Sequence, residues 1–452
     1  MAHRPENPDL LRGALVAAIS SLPALLLATS MAHAQVERIT TGEGGAQANG
    51  SSYDAAVSAN GQVVAFRSTA SNLVAGDDNG WPDIFVRDLA SGTTEKVSGQ
   101  ISPYGTYSLS PSISGDGQVV VMTTYLPTGR YGYADIVIHD RATGTSALPF
   151  MPNGAIYPRL EPSVSGDGQF IAFYSTGSMQ EIDPPEARPV DGDTNSTIDA
   201  FVVDRVTTPM VPIQMVSRAS DNVQGVGDSL SPTLSHDGRY AAFYSYANNL
   251  VAGDTNEHED VFVKDRQTGA LVIASVASDG TFGNGDSVKP VISGNGRFVV
   301  FRSQASNLVP DDSNKRWDIF VRDLTLGTTT RVSVASDGTQ GNNHSFEADI
   351  SNDGRFVVFR SNASNLVPGD TNQRSDIFVH DRQSAHTARV SQPASGESNG
   401  NSYKPVISGD GLWIAFESDA TNLVAGDSNT LRDIFRVANP FADGNAARHG
   451  GR

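Results

Sequence analysis

Residues Gly296 to Asn342 read GRFVVFRSQASNLVPDDSNKRWDIFVRDLTLGTTTRVSVASDGTQGN. The stretch returns almost letter for letter from Gly354 to Asp381, as GRFVVFRSNASNLVPGDTNQRSDIFVHD. A unit recurs in this way when it cannot bury its own apolar face and must stack on copies of itself. Aligned on the last residue of a tight S-x-x-G turn, seven copies stand at Gly61, Gly117, Gly168, Gly238, Gly296, Gly354 and Gly411, with pitches of 56, 51, 70, 58, 58 and 57 residues. Each full copy holds four short runs rich in Val, Ile, Phe and Thr and bounded by Gly, Asn and Asp, which is the signature of strands. In the fifth copy these runs, A to D, are Pro290 to Ser293, Phe298 to Ser303, Ile319 to Arg322 and Thr330 to Val334.

Runs B (FVVFRS) and C (IFVRD) are apolar on both faces. A sheet with one wet face would alternate, whereas a sheet covered on both sides need not. The repeat therefore predicts an all-β fold, a seven-bladed β-propeller with four-stranded antiparallel blades. The last copy stops after its C run at Val437, without a D run. Val36 to Thr40 (VERIT), followed by TGEGGAQANG, matches the TTRVSVASDGTQGN that closes other copies. The N-terminal strand is thus expected to complete the seventh blade and close the ring, leaving no open sheet edge. On this reading the propeller spans residues 35–438, and 439–452 form a disordered tail.

The pattern P-x-[IV]-S-x-[DN]-G-[RQ]-[FV]-[VI]-[AV]-F, followed by D-[IV]-F-V-x-D and T-G-T, resembles the repeat of TolB-like β-propellers from Val36 to Val437. The resemblance implies the propeller and no single activity, because propellers of this type serve as binding platforms, as lids on peptidases and as enzymes. TolB carries a small α/β domain before a six-bladed propeller, whereas here seven copies follow the leader directly. The one G-x-S-x-G, Gly396 to Gly400, falls inside the repeat, in a D–A connection, and not in the strand-to-helix turn of a hydrolase domain.

Residues 1–34 read as an export signal: Arg4 and Arg12, an apolar run from Ala14 to Ala28, and the small-x-small pattern Ala32-His33-Ala34 before Gln35. The run is broken by Ser20, Ser21 and Pro23 and falls short of the roughly 20 residues of a spanning helix. The expectation is a periplasmic or secreted protein, monomeric, with no membrane insertion after cleavage. The chain has no Cys, which excludes disulfides, thiolate metal sites and thiol nucleophiles. Removing the leader takes away two basic and two acidic groups and leaves the net charge at -18. Such an acidic surface argues against nucleic acid as a partner.

The A–B and C–D turns are tight and the B–C and D–A connections long, so one face carries the elaboration, where function usually lives. The B–C loop repeats D-x-N-x-x-x-D in six copies: Asp77, Asn79, Asp83; Asp193, Asn195, Asp199; Asp254, Asn256, Asp260; Asp312, Asn314, Asp318; Asp370, Asn372, Asp376; and Asp427, Asn429, Asp433. Hard oxygens at alternate positions are what Ca²⁺ takes. Asp and Asn also cap turns by bonding their own backbone, and the two uses are weighed below. The second copy replaces this loop with TTYLPTGRYGYAD, and six tyrosines fall nearby: Tyr104, Tyr107, Tyr125, Tyr131, Tyr133 and Tyr157. They are a candidate site for a peptide or glycan, or packing for a drifted copy. A third set lines the channel just before the A-strand proline position, with Lys289, Glu347, Lys404 and Asp54 alternating in sign, as expected of ion pairs between neighbouring blades; the catalytic alternative, Glu161 with Glu347 as a carboxylate pair, would join residues three units apart. Histidines show no metal-ligand spacing. The leading expectation is a binding or scaffold module for a protein, peptide or glycan, with calcium as a stabiliser of the loops. The alternative is a carbohydrate- or peptide-active lyase or hydrolase with its site at the channel mouth.

Overall fold

The computed structural model describes Met1 and residues 35–99, 107–126, 133–148, 159–175, 193–206 and 213–442. Residues 2–34, all but Met1 of the expected export signal, and residues 443–452 lie outside them. The described residues form seven four-stranded sheets in which each strand pairs with its sequence neighbour. In blade 5, strand A (Ser287–Ile292), B (Phe298–Ser303), C (Asp318–Asp323) and D (Thr328–Arg331) are antiparallel in that order. The one departure from sequence order is the predicted one. Glu37–Arg38 pairs with Asp433–Ala438, so the N-terminal strand is the outer strand of blade 7. Asn439, beyond that strand, donates to the Gly411 carbonyl at 2.8 Å, and Phe441 packs on the blade 7 core.

Strands B and C are buried on both faces, as their unbroken apolar runs require. In six blades a phenylalanine of B stacks on one of C, with centroids 5.7–6.0 Å apart. Blade 2 has Met122 opposite Val137 instead.

Two devices join blade to blade around the whole ring. The first residue of each B strand lies against the turn glycine of the next blade: Phe170 on Gly238, Tyr240 on Gly296, Phe298 on Gly354, and, across the closure, Trp413 on Gly61. A Cβ on Gly354 would stand 2.0 Å from the Phe298 ring. Next to this, the A–B turns are linked by backbone hydrogen bonds of 2.8–2.9 Å, from Ala59 N–H to Gly115 and onward through Gly166, His236, Gly294, Asn352 and Gly409 back to Ala59. This circle of seven bonds draws the blades together at the tight-turn end of the channel.

Candidate ligand site at the channel mouth

Every A strand carries a bulge where its pairing with B shifts register. The extra residue is non-glycine and left-handed in all seven blades: Asp54, Ser110, Glu161, Ser231, Lys289, Glu347 and Lys404, with φ between 28° and 55°. A bulge re-aims a side chain, and here it turns one residue per blade into the loop-rich end of the channel. Because the strain recurs sevenfold it belongs to the architecture and marks no one blade as special. The ring bounds a cavity of about 420 Å³ whose floor is Pro111, Pro162, Pro232 and Pro290. Below it, toward the turns, lies a second cavity of about 210 Å³.

The rim above these residues comes from strand B, from the position paired with the residue before the bulge: Arg67, Thr123, Tyr174, Tyr244, Arg302, Arg360 and Glu417. Blades 5 to 1 stack cations and rings alternately. Arg302 lies over Trp317 (4.7 Å) and Phe346 (6.0 Å), Arg360 over Phe346 (4.5 Å) and Tyr403 (5.4 Å), Arg432 over Tyr403 (4.0 Å) and Tyr53 (5.3 Å), and Arg67 over Tyr53 (4.7 Å). Each such contact attracts a cation to the negative face of a ring. Carboxylates neutralise most of the stack: Asp54 holds Arg67 at 2.9 Å, Glu347 holds Arg360 at 2.5 Å, and Glu417 and Asp419 hold Arg432 at 3.2 and 2.8 Å. Arg302 has no ion pair among the described residues, its Nε is buried without a partner, and burial pushes its pKa down.

Blades 2 to 4 present tyrosines. Tyr244 is pushed up to about 12 and Tyr174 higher still, in both cases by burial first and by the charge of nearby carboxylates second, so both keep their phenolic protons. Of the six tyrosines singled out in the sequence, Tyr107 and Tyr125 stack at 4.5 Å, and exposed Trp81 continues the stack from blade 1 at 6.2 Å. Tyr133 opens strand C of blade 2 (Tyr133–Asp140). Tyr104, Tyr131 and Tyr157 lie outside the described residues. Sequence reasoning passed over Tyr174, Tyr244 and Arg302. Their signal was present in the one letter that varies among FRS, FYS and FES at the end of strand B, while its neighbours stay fixed.

The sign alternation seen in the sequence is realised in part. Lys404 pairs with Asp54 across the closure. Lys289 reaches past blade 4 to Glu161 at 3.2 Å instead of pairing with Glu347, because Arg360 already occupies Glu347 within its own blade. Glu161 and Glu347 therefore hold separate cations. Ser231 sits between the first pair, donating to Glu161 Oε2 at 2.7 Å and accepting from Lys289 Nζ at 2.8 Å.

The D-x-N-x-x-x-D loops have one local geometry. The Asn side-chain oxygen accepts the N–H two residues on, in all six, at 2.8–3.1 Å: Trp81, Thr197, His258, Arg316, Arg374 and Leu431 donate. Asn195, Asn256, Asn314 and Asn429 donate to a carbonyl of the D–A loop, at Gly225, Gly283, Gly341 and Ala48. The last Asp accepts a hydroxyl from the D strand side, as Asp83 does from Ser98 at 2.6 Å and Asp318 from Ser333 at 2.6 Å. The first Asp meets a donor in five loops: Lys96 for Asp77, Gln224 for Asp193, Arg331 for Asp312, Arg389 for Asp370 and Gln47 for Asp427. Asp254 is the exception, with one buried oxygen unpartnered. Burial pushes Asp199, Asp260, Asp318 and Asp370 up to about 6. The loops thus cap turns and staple the B–C to the D–A connections. Among the described residues no three His, Asp or Glu side chains gather as a metal-binding group. Nor does any helix among them run long and apolar enough to cross a membrane.

No protein-family model and no curated protein matches the chain. Solved structures do. An oligogalacturonate lyase in complex with manganese is 12% identical, with a TM-score of 0.54 over 90% of this chain and 94% of that one. The β-propeller domain of the Trilobed protease from Pyrococcus furiosus is 11% identical, with a TM-score of 0.52 over 89% and 98%. TolB from Acinetobacter baumannii is 15% identical, with a TM-score of 0.39 over 68% of this chain and 58% of that one. At these identities the likeness is one of propeller architecture, and the chain stands among such propellers by its fold alone.

Proposed function

We propose that the protein is an exported binding module that receives a peptide or glycan at the channel mouth of its loop-rich face. One observation carries the reading: the cavity of about 420 Å³ on that face, rimmed by tyrosines on one side and by a cation–aromatic stack on the other. Rigid aromatic surface with polar tips around a concave floor is the chemistry of small-ligand and chain-end recognition. Export is supported by the leader at Arg4 to Ala34. The test probes peptide and glycan arrays with labelled wild-type protein and with Tyr174→Ala/Tyr244→Ala. Capture by the wild type that the double variant loses is expected; capture that the variant keeps would move the site away from the mouth.

A second reading, hydrolysis at the same mouth, is favoured by the Ser231 hydroxyl between a carboxylate and an ammonium. A nucleophile needs a base to take its proton, and Glu161 stands where that base would be. Glu161 and Lys289 are nonetheless each almost half exposed and paired with one another, so the carboxylate that would act as base is held by an ammonium. Labelling by a fluorophosphonate that Ser231→Ala abolishes would replace the binding reading with this one.

A further inference from the structure

Among the described residues the rim has one guanidinium without an ion pair. In blades 1 and 6 the bulge residue and the strand B residue beside it form an acid–arginine pair, Asp54 with Arg67 and Glu347 with Arg360. In blade 7 the signs are exchanged, with Lys404 at the bulge and Glu417 on strand B, and Glu417 accepts from Asp54 N–H and Arg432. Blade 5 breaks the rule, since both positions are cations, Lys289 and Arg302. Lys289 turns away to Glu161 and Ser231. The acids whose field reaches Arg302 are engaged elsewhere: Glu347 by Arg360 and Glu259 by the Tyr246 hydroxyl. Arg302 is left held by the rings of Trp317 and Phe346, lining the cavity with its Nε unpartnered. A half-buried guanidinium without a carboxylate is costly, and a ligand that supplies one gains what the fold leaves unmade.

The geometry points to a site for a single carboxylate, and we infer that its ligand is the free C-terminus of a peptide, entering the mouth end-on with its carboxylate on Arg302. The inference rests on the mouth as the binding site. Two features select the class. The protein carries a net charge of -18, which repels a polymer bearing an acid on every unit but tolerates a chain with one acid at its end. The cavity at the mouth, about 420 Å³, has only a smaller one of about 210 Å³ below it, which gives room to an end more readily than to the middle of a chain. The proline floor offers apolar contact to the last side chains, and Tyr244 and Tyr174 stand beside Arg302 on the two preceding blades.

The probes are an N-acetylated random hexapeptide pool with free C-termini, the same pool amidated, and oligogalacturonates as a polyacid control. Immobilised protein is incubated with each and the bound fraction measured by mass spectrometry. Wild type should retain the free-acid pool about tenfold over the amidated pool, the size of one charge-assisted bidentate contact. Arg302→Gln should erase the preference. Because that change also breaks the cation–aromatic stack, Lys289→Glu is the cleaner variant. It sets a carboxylate where Asp54 and Glu347 stand in blades 1 and 6, gives Arg302 an internal partner, and should fold normally while losing the preference. Lys289→Gln, which supplies no carboxylate, should keep it. Equal retention of the free and amidated pools, unchanged in Lys289→Glu, would overturn the carboxylate site while leaving the mouth as a binding surface. Arg302-dependent retention of oligogalacturonate without the peptides would overturn the peptide class. Retention of no probe would overturn both the inference and the mouth reading.

Discussion

Substituting Gly354 by alanine tests whether the ring is held by the contact between a strand B ring and the next blade's turn. Gly354 has φ of +76°, and a Cβ there would lie 2.0 Å from Phe298 Cδ2. The Phe298 ring cannot swing aside freely, because Arg382 covers it at 4.4 Å and Arg297 at 4.8 Å. The left-handed backbone alone costs an alanine about 1 kcal/mol. Overpacking against the ring adds about 1–3 kcal/mol. The fold supplies its own control at Gly168, whose φ is +74° but whose Cβ would meet nothing nearer than Val119 Cγ2 at 3.3 Å and Ser114 Cβ at 3.4 Å. Gly168→Ala should therefore lose about 1 kcal/mol and Gly354→Ala about 2–4 kcal/mol, the difference being the inter-blade contact. Urea unfolding, followed by fluorescence and by far-ultraviolet circular dichroism so that coincidence of the two is checked, gives both values. In a Phe298→Val background the cost of Gly354→Ala should fall to that of Gly168→Ala. Equal losses at the two glycines, or no coupling between positions 298 and 354, would refute the reasoning.

Three further outcomes follow from the loops. Asp199, Asp260, Asp318 and Asp370 have carboxyls pushed up to about 6 by burial, so the folded state holds these protons more tightly than the unfolded chain does. Their protonation favours folding, and that contribution is lost as pH rises from about 4 through 6. Asp265 works the other way, drawn down to about 2 by Arg239, and its contribution disappears only below about pH 4. The melting temperature should accordingly rise between about pH 7.5 and 5 and fall below about 4; a monotonic decline from about pH 7.5 would contradict the burial argument. Asp254→Asn removes a buried charge with an unpartnered oxygen and should stabilise by about 1 kcal/mol at about pH 7.5, with a smaller gain at about pH 5. A loss at the higher pH would show that Asp254 has a partner after all. Melting in millimolar calcium and in chelator should coincide, since the loop oxygens are taken by protein donors; a shift near the roughly 2.7 kcal/mol expected at about 100 times Kd would return the loops to ion sites.

The architecture was legible because its causes are local and repeated. A strand apolar on both faces, as FVVFRS is, has few homes other than a sheet between two sheets, and a missing D run at one end with a spare one at the other has one economical solution. The Asn of D-x-N was legible only as far as its turn. That its amide would staple the D–A loop depends on contacts such as Asn314 to Gly341, which no spacing discloses. The channel ions were misjudged at Lys289 for a related reason: sequence order gives which blade is next, whereas a lysine reaches across the channel to whichever carboxylate is unoccupied, here Glu161. The place of Arg302 on the rim was written in the letter that varies at the end of strand B, whereas what sets it apart from Arg67 and Arg360, the missing carboxylate, is an absent contact and leaves no letter.

The two ends of the channel obey different rules within the same chain. At the turn end every blade repeats one solution: a Ser hydroxyl bonding the Asp or Asn two residues on, as Ser58 does Asn60 and Ser351 does Asp353, a left-handed glycine, and a backbone bond to a neighbouring blade. Those features serve closure, and each copy must meet the same neighbour in the same way. At the mouth the backbone is just as uniform, bulge for bulge, yet the side chains it aims inward run through Asp, Ser, Glu, Ser, Lys, Glu and Lys, under a rim of Arg, Thr, Tyr, Tyr, Arg, Arg and Glu. Closure does not require that variety, since any of these residues satisfies the same left-handed position. A ring of equivalent positions filled with unequal chemistry has distinct sides, with tyrosines at blades 3 and 4, then the guanidinium of blade 5 that has no ion pair among the described residues, then the paired ones of blades 6 and 1. An asymmetric ligand can be oriented only by such a surface, which supports the proposal of recognition at the mouth, with the turns holding it rigid.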